Sequence, residues 1–199
     1  MCHNSETFIS DAAMPTKNSH LAINNILCDI TAMIYRILNR TSFRDERFTD
    51  ISIFVGILHG DLNINNIIVS DNGPDQLKLA GFIDILDIIY GPPMIDLATL
   101  IVSVQAKSVH HNDGGCILDT TRAVMLGYTC LTPDTECDME LLYYCIAARC
   151  AQIVVLCRYD ALRNPENSEY LLADNDDTRT VLRQFYKNYT LKDFQNLAF

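Results

Sequence analysis

A short hairpin constrains this chain more than any other feature. Residues 59–66 read His-Gly-Asp-Leu-Asn-Ile-Asn-Asn and run directly into the apolar residues Ile67, Ile68 and Val69. Asp71, Asn72, Gly73 and Pro74 then form a turn signal, and residues 77–83 read as the returning strand. Strands joined by so short a connection lie side by side. Asn66, just before the first strand, and Asp84, just after the second, are therefore expected at the same end of a two-stranded ribbon.

The rest of the pattern is helical. Ile23, Ile26, Leu27, Ile30, Met33, Ile34, Ile37 and Leu38 recur at three and four positions, which predicts an amphipathic helix over residues 21–40, packed under the 59–66 loop. Residues 41–50 read as a polar linker and 51–58 as a short apolar run delivering the chain to His59. Tyr90, Gly91, Pro92 and Pro93 break the chain, and helices are expected over 95–106, 116–128, 133–159 and 178–189. Thr132 before Pro133 suits a helix N-cap with proline at the first helical position. The expected fold class is α+β and mainly helical, with 1–20 as a polar N-terminal tail and 21–199 as one lobe.

Composition narrows the partners. The chain has 199 residues and 49% hydrophobic content, enough to bury a real core. Acidic residues outnumber basic ones 25 to 15 for a formal charge of −10, which argues against nucleic acid or an anionic membrane as partner and suits a cationic small molecule. The first residues lack the basic start and apolar centre of a secretory signal. No apolar run approaches the roughly 20 residues of a membrane span, so a soluble, cytoplasmic protein is expected. The eight cysteines include no Cys-x-x-Cys pair, and Cys145, Cys150 and Cys157 share one apolar stretch; reduced buried thiols are expected there rather than zinc ligands.

The loop and the aspartate beyond the hairpin form a chemical set. Transfer of a phosphoryl group to a hydroxyl needs a carboxylate beside the acceptor oxygen, plus an amide oxygen and a second carboxylate that hold Mg²⁺ against nucleotide phosphates. Asp61, Asn66 and Asp84 supply these in order, with Asp61 expected to orient the hydroxyl and take its proton. Asn63 and Asn65 read as ordinary loop residues. His59 is expected to fix the loop through hydrogen bonds rather than to transfer protons. Asp87 is open to metal, water, a substrate amine or a structural role. Asp96 is expected either to cap a helix or to accept backbone hydrogen bonds from the loop. Arg149 is the only charge between Tyr143 and Leu156, and must find a buried acceptor or reach water. A structural ion pair is its first reading, with a contact to a substrate carboxylate as the alternative.

Taken together, His59-Gly60-Asp61 with Asn66, Gly81-Phe82-Ile83-Asp84 with Asp87, Tyr90-Gly91, and Asp96-Leu97-Ala98 resemble the C-terminal lobe of the aminoglycoside phosphotransferase-like kinases, which share the protein-kinase fold. Gly127-Tyr128, Leu141-Leu142-Tyr143, Ala148-Arg149, Asn164-Pro165-Glu166-Asn167 and Tyr170-Leu171 are similar to the hydroxylysine kinase branch of that family. The resemblance implies Mg²⁺-dependent transfer of phosphate from GTP or ATP to the hydroxyl of 5-hydroxylysine or a similar amine-bearing alcohol, in the cytoplasm. It makes Asp61 the catalytic carboxylate and Asn66 and Asp84 the metal ligands. There are two departures. Ile85-Leu86 stands where the family has Phe-Gly, and the nucleotide-covering N-terminal lobe is expected to be largely absent, with Lys17 as the only lysine before Asp61. A catalytically silent lobe that binds a partner is the alternative expectation. An exposed apolar patch beside the loop would favour it, and a shielded acidic cleft would favour an enzyme.

Overall fold

In the computed structural model the described residues are 5–8, 55–71, 78–111, 115–131, 138–173 and 175–199. Strands β1 (Ser5–Phe8), β3 (Ile67–Asp71) and β4 (Lys78–Phe82) form an antiparallel sheet in the order β1-β3-β4. Strands β2 (Gly56–Leu58) and β5 (Ile89–Gly91) form a separate antiparallel pair. Helices α1 (Met94–His111), α2 (Ile117–Leu131), α3 (Met139–Arg163), α4 (Ser168–Leu172), α5 (Asn175–Asn188) and α6 (Leu191–Gln195) make up the remainder, so the lobe is α+β and mainly helical. This is the fold class expected from the sequence.

The two strands pair where their apolar residues put them, and the turn between them lies outside the described residues. Ile67 pairs with Phe82 and Ile68 with Gly81, after which the register slips so that Val69 faces Leu79 and Ala80 is left as the extra residue of a bulge. Two strands lie where none was expected. Ser5–Phe8 falls in the stretch read as a polar tail and pairs along β3, Ser5 opposite Asp71. Tyr90 and Gly91 belong to β5 rather than acting only as breakers, and that strand holds the approach to the 59–66 loop through Ile57 opposite Tyr90. The expected helix over 21–40, the linker over 41–50, the Thr132–Pro133 cap and Lys17 lie outside the described residues.

The helix ends differ from their sequence boundaries. The one expected over 133–159 starts at Met139, because Asp138 accepts a hydrogen bond from the Leu141 N–H at 2.8 Å. It continues to Arg163 and stops before Asn164, whose helical conformation Pro165 disfavours. By length and composition α3 is apolar enough to cross a membrane, which the short apolar runs of the sequence did not suggest. Here its buried residues Leu142, Ile146, Ala147 and Cys150 pack within the lobe, while Val155, Leu156, Tyr159 and Leu162 on its C-terminal half are exposed.

The core sits where α1 crosses α3 and α5. Leu97, Leu100 and Ile101 from α1, Val124, Met125 and Tyr128 from α2, Ile146 and Cys150 from α3, and Phe185 from α5 are all at or near full burial. Leu62, Ile64, Ile67 and Val69 join the same cluster from the loop and β3, so the polar loop is seated on the helical core. Among the described residues the cysteines are free; burial pushes the Cys150 thiol up to about 12, which keeps it protonated and inert.

Candidate active site

The 59–66 loop is shaped by local hydrogen bonds before it meets anything distant. The Asn63 N–H donates to the Asp61 carbonyl at 2.9 Å, the Asn66 N–H to the Asn63 carbonyl at 3.1 Å, and the Asn63 side-chain oxygen accepts from the Asn65 N–H at 2.9 Å. This Asx arrangement winds residues 64–66 into a single 3-10 turn, with Ile64 buried below and Asn65 exposed above. The Ile64 N–H reaches Ser103 Oγ on α1 at 3.3 Å.

Asp96 holds the front of the loop. It is fully buried on the first turn of α1, and its carboxylate accepts from the His59 N–H at 2.7 Å and from the Gly60 N–H at 3.0 Å. Of the two roles open to it from sequence, the geometry is that of the loop acceptor. Burial pushes its carboxyl above the usual range, and the two backbone N–H bonds oppose that shift.

Three contacts then join the loop to the segment after the hairpin. His59 Nε2 lies 3.0 Å from the Ile83 carbonyl and donates to it, which leaves its buried Nδ1 without a partner. The Ile83 N–H donates to the Asn66 carbonyl at 3.1 Å. Gly60 has a φ of 88°, and a Cβ there would fall 1.9 Å from the Asp87 carbonyl oxygen. The glycine is thus required both by its backbone and by the approach of the second loop.

Asp61 is the centre of the arrangement. Its Oδ2 accepts from Asn63 Nδ2 at 2.7 Å and from Asn66 Nδ2 at 3.3 Å, while Asn66 Nδ2 also donates to its carbonyl at 2.9 Å. Its Oδ1 accepts from Arg149 Nη2 at 2.5 Å. Asn63, set aside in sequence as an ordinary loop residue, is therefore part of the site. Its position two residues after an aspartate, where a short amide can fold back on the chain, was the available signal. Arg149 makes the ion pair that was its first reading, and its acceptor is Asp61 itself. Nothing in the sequence around Arg149 names that partner, which arrives from a loop far back in the chain.

Asp84 lies just beyond the Ile83 contact, exposed, in the left-handed conformation at φ 59° and ψ 53°. Aspartate tolerates that region better than most residues. The residues after it, Ile85–Asp87, form a 3-10 turn, and Asp84 is the one non-glycine residue with positive φ among those described. Leu86, which stands where the resembled kinases carry glycine, does not have a positive φ. Asp87 is exposed, with its carbonyl against Gly60.

The sequence pattern of the phosphotransferase enzyme family matches residues 44–123, which include this loop, the hairpin, Asp84 and most of α1. Hydroxylysine kinase of Danio rerio is 33% identical over 116 residues, covering 58% of this chain and 31% of that protein. The Mus musculus hydroxylysine kinase is 30% identical over 136 residues, covering 65% of this chain and 34% of that protein. The chain spans about a third of the length of these curated relatives. No solved structure matches it.

Asn66 and Asp84 are the two oxygen donors that these loops would offer a hard cation such as Mg²⁺. Asn66 turns its amide nitrogen to Asp61, which leaves Oδ1 as the atom available to a cation, and the Ile83–Asn66 contact holds the Asp84 backbone beside it. One amide oxygen and one carboxylate are what this hard ion takes from a protein when phosphates and water complete its shell. A closed protein cage is not built here. No group of three or more His, Cys, Asp or Glu side chains suited to a metal occurs among the described residues.

Proposed function

We propose that this chain forms the phosphate-transferring lobe of a cytoplasmic small-molecule kinase whose acceptor is the hydroxyl of 5-hydroxylysine or a similar amine-bearing alcohol, with Mg²⁺ and GTP or ATP as donor. The observation that carries it is Asp61, held by Asn63, Asn66 and Arg149 in a loop clasped to the Asp84 turn. The names and matches of the relatives support the acceptor class.

In this reading Asp61 accepts the proton of the substrate hydroxyl as its oxygen bonds to the γ-phosphorus. The bond from that phosphorus to the nucleotide diphosphate breaks, and the diphosphate leaves. Asn63 and Asn66 hold the carboxylate at one orientation, which removes a rotational cost from the transfer geometry. Asn66 and Asp84 are the residues that would hold Mg²⁺, and the ion supplies neutralisation of charge on the phosphates. The acidic balance of the chain, at −10, suits the amine of the acceptor.

The test is transfer of labelled phosphate from Mg²⁺-GTP and Mg²⁺-ATP to 5-hydroxylysine by the purified chain. Asp61→Asn is expected to reduce turnover by at least about 100-fold, the range of a lost general base. Turnover unchanged by that substitution would overturn the assignment of Asp61.

One observation favours a second reading. Ile83, Ile85, Leu86, Ile88 and Ile89 are 38–91% exposed around the second loop, an apolar surface interrupted by Asp84 and Asp87. On this reading the lobe is silent alone and works as a binding module, or needs further chain over that face. Folded protein that transfers no phosphate, with or without Asp61, would favour it.

A further inference from the structure

Arg149 has more hydrogen-bonding capacity than its ion pair uses. A guanidinium carries five N–H donors in a planar fork. Nη2 meets Asp61 Oδ1 and Nη1 meets Gln152 Oε1 at 2.9 Å, bonds that use one N–H of each nitrogen and leave the second, while Nε is buried beneath them with no partner. The side chain keeps 23% of its surface exposed and that of Asp61 keeps 27%, so the pair is not sealed from an incoming molecule. Nor is Arg149 alone in holding Asp61, because Asn63 and Asn66 already fix Oδ2.

Charge at the site sharpens the point. Asp61, Asp84, Asp87 and Asp96 all lie in or beneath the two joined loops. An acceptor carrying only an amine would be drawn there, but one that also carries an anion would be repelled unless a cation received it. Among the described residues Arg149 is the cation paired with Asp61.

We propose that Arg149 is a specificity-determining residue that binds a carboxylate on the acceptor, so that the site selects amino-acid alcohols over simple amino alcohols. The inference rests on the phosphotransfer reading and extends it. A hydroxyl brought to Asp61 carries its neighbouring groups past the guanidinium edge, and a carboxylate is the group whose two oxygens match the fork. Arg149 thereby recognises the acid and orients the alcohol toward Asp61 at the same time.

The experiment compares 5-hydroxylysine with the same diamino alcohol lacking its carboxyl group, in the full chain and in Arg149→Met and Arg149→Lys. The readout is the ratio of kcat/KM for the two acceptors, which a general weakening of Asp61 would leave unchanged. The wild-type chain is expected to favour the carboxylate-bearing acceptor by about 10- to 100-fold, the range for a hydrogen bond to a charged group. The ratio should fall close to one in Arg149→Met and be partly kept in Arg149→Lys. A ratio unchanged in Arg149→Met, or no preference in the wild type, overturns the proposal. If neither acceptor is phosphorylated, the phosphotransfer reading fails for this chain alone, and calorimetric dissociation constants for the two acceptors decide by the same ratio; equal affinity or no binding then overturns it. Circular dichroism verifies folding, and if Arg149→Met does not fold, Arg149→Gln takes its place.

Discussion

Gly60 shows how strongly one residue can be determined by two neighbours. Its φ of 88° lies where side chains are strained, and a Cβ would meet the Asp87 carbonyl at 1.9 Å. Gly60→Ala is therefore expected to cost about 1–3 kcal/mol for the backbone conformation alone, with more from the displaced second loop. Urea unfolding should show the loss. A variant as stable as the parent would mean that the two loops do not meet this closely in solution. The glycine was legible in sequence as part of a motif, but its reason was not, since the carbonyl that excludes a side chain belongs to a residue across the hairpin. Asn63 was missed because an asparagine in a loop has many uses, and only the fold of the 3-10 turn shows its amide returning to Asp61.

At the scale of elements, α6 depends on its own first turn. Thr190 and Asp193 form a reciprocal capping box, and Asp193 accepts from the Thr190 N–H at 2.6 Å and the Thr190 hydroxyl at 2.7 Å. These bonds hold the Asp193 carboxyl below its ordinary value of 3.8. A depressed pKa means that the folded state prefers the ionised form, so this stabilisation is present above 3.8 and lost as pH falls through the lower, folded value. Protection against amide exchange in Leu191–Gln195, relative to the unfolded chain at the same pH, should fall below that value, and a carboxyl titration of Asp193 by NMR should give a midpoint under 3.8. An unshifted midpoint would remove the cap from the account. Helix identities were readable from periodicity, whereas their ends were not. Asp138 and Asn164 set the limits of α3 through hydrogen bonds and a following proline, and those signals compete with other polar residues nearby.

Across the whole molecule, the C-terminal helices form one aromatic cluster. The ring centroids of Tyr143 and Phe185 lie 4.8 Å apart, those of Tyr143 and Phe194 5.3 Å, and Phe194 is fully buried although it belongs to a helix of five residues. Phe194→Ala should destabilise the chain by about 3–5 kcal/mol, the range for a buried aromatic truncated to a cavity, as read from the urea midpoint at constant slope. A change under about 1 kcal/mol would show that α6 is not part of the cooperative unit. The sequence by itself determined the paired strands, the presence and order of α1, α2, α3 and α5 and the polar residues that bracket the hairpin, because strand alternation, helical spacing and turn chemistry act between near neighbours. Only the tertiary structure decided that Asp96 underpins the loop, that β2 pairs with β5 and that Arg149 closes on Asp61. Each of those contacts joins segments well separated along the chain, and which segments meet is set by how the whole core packs.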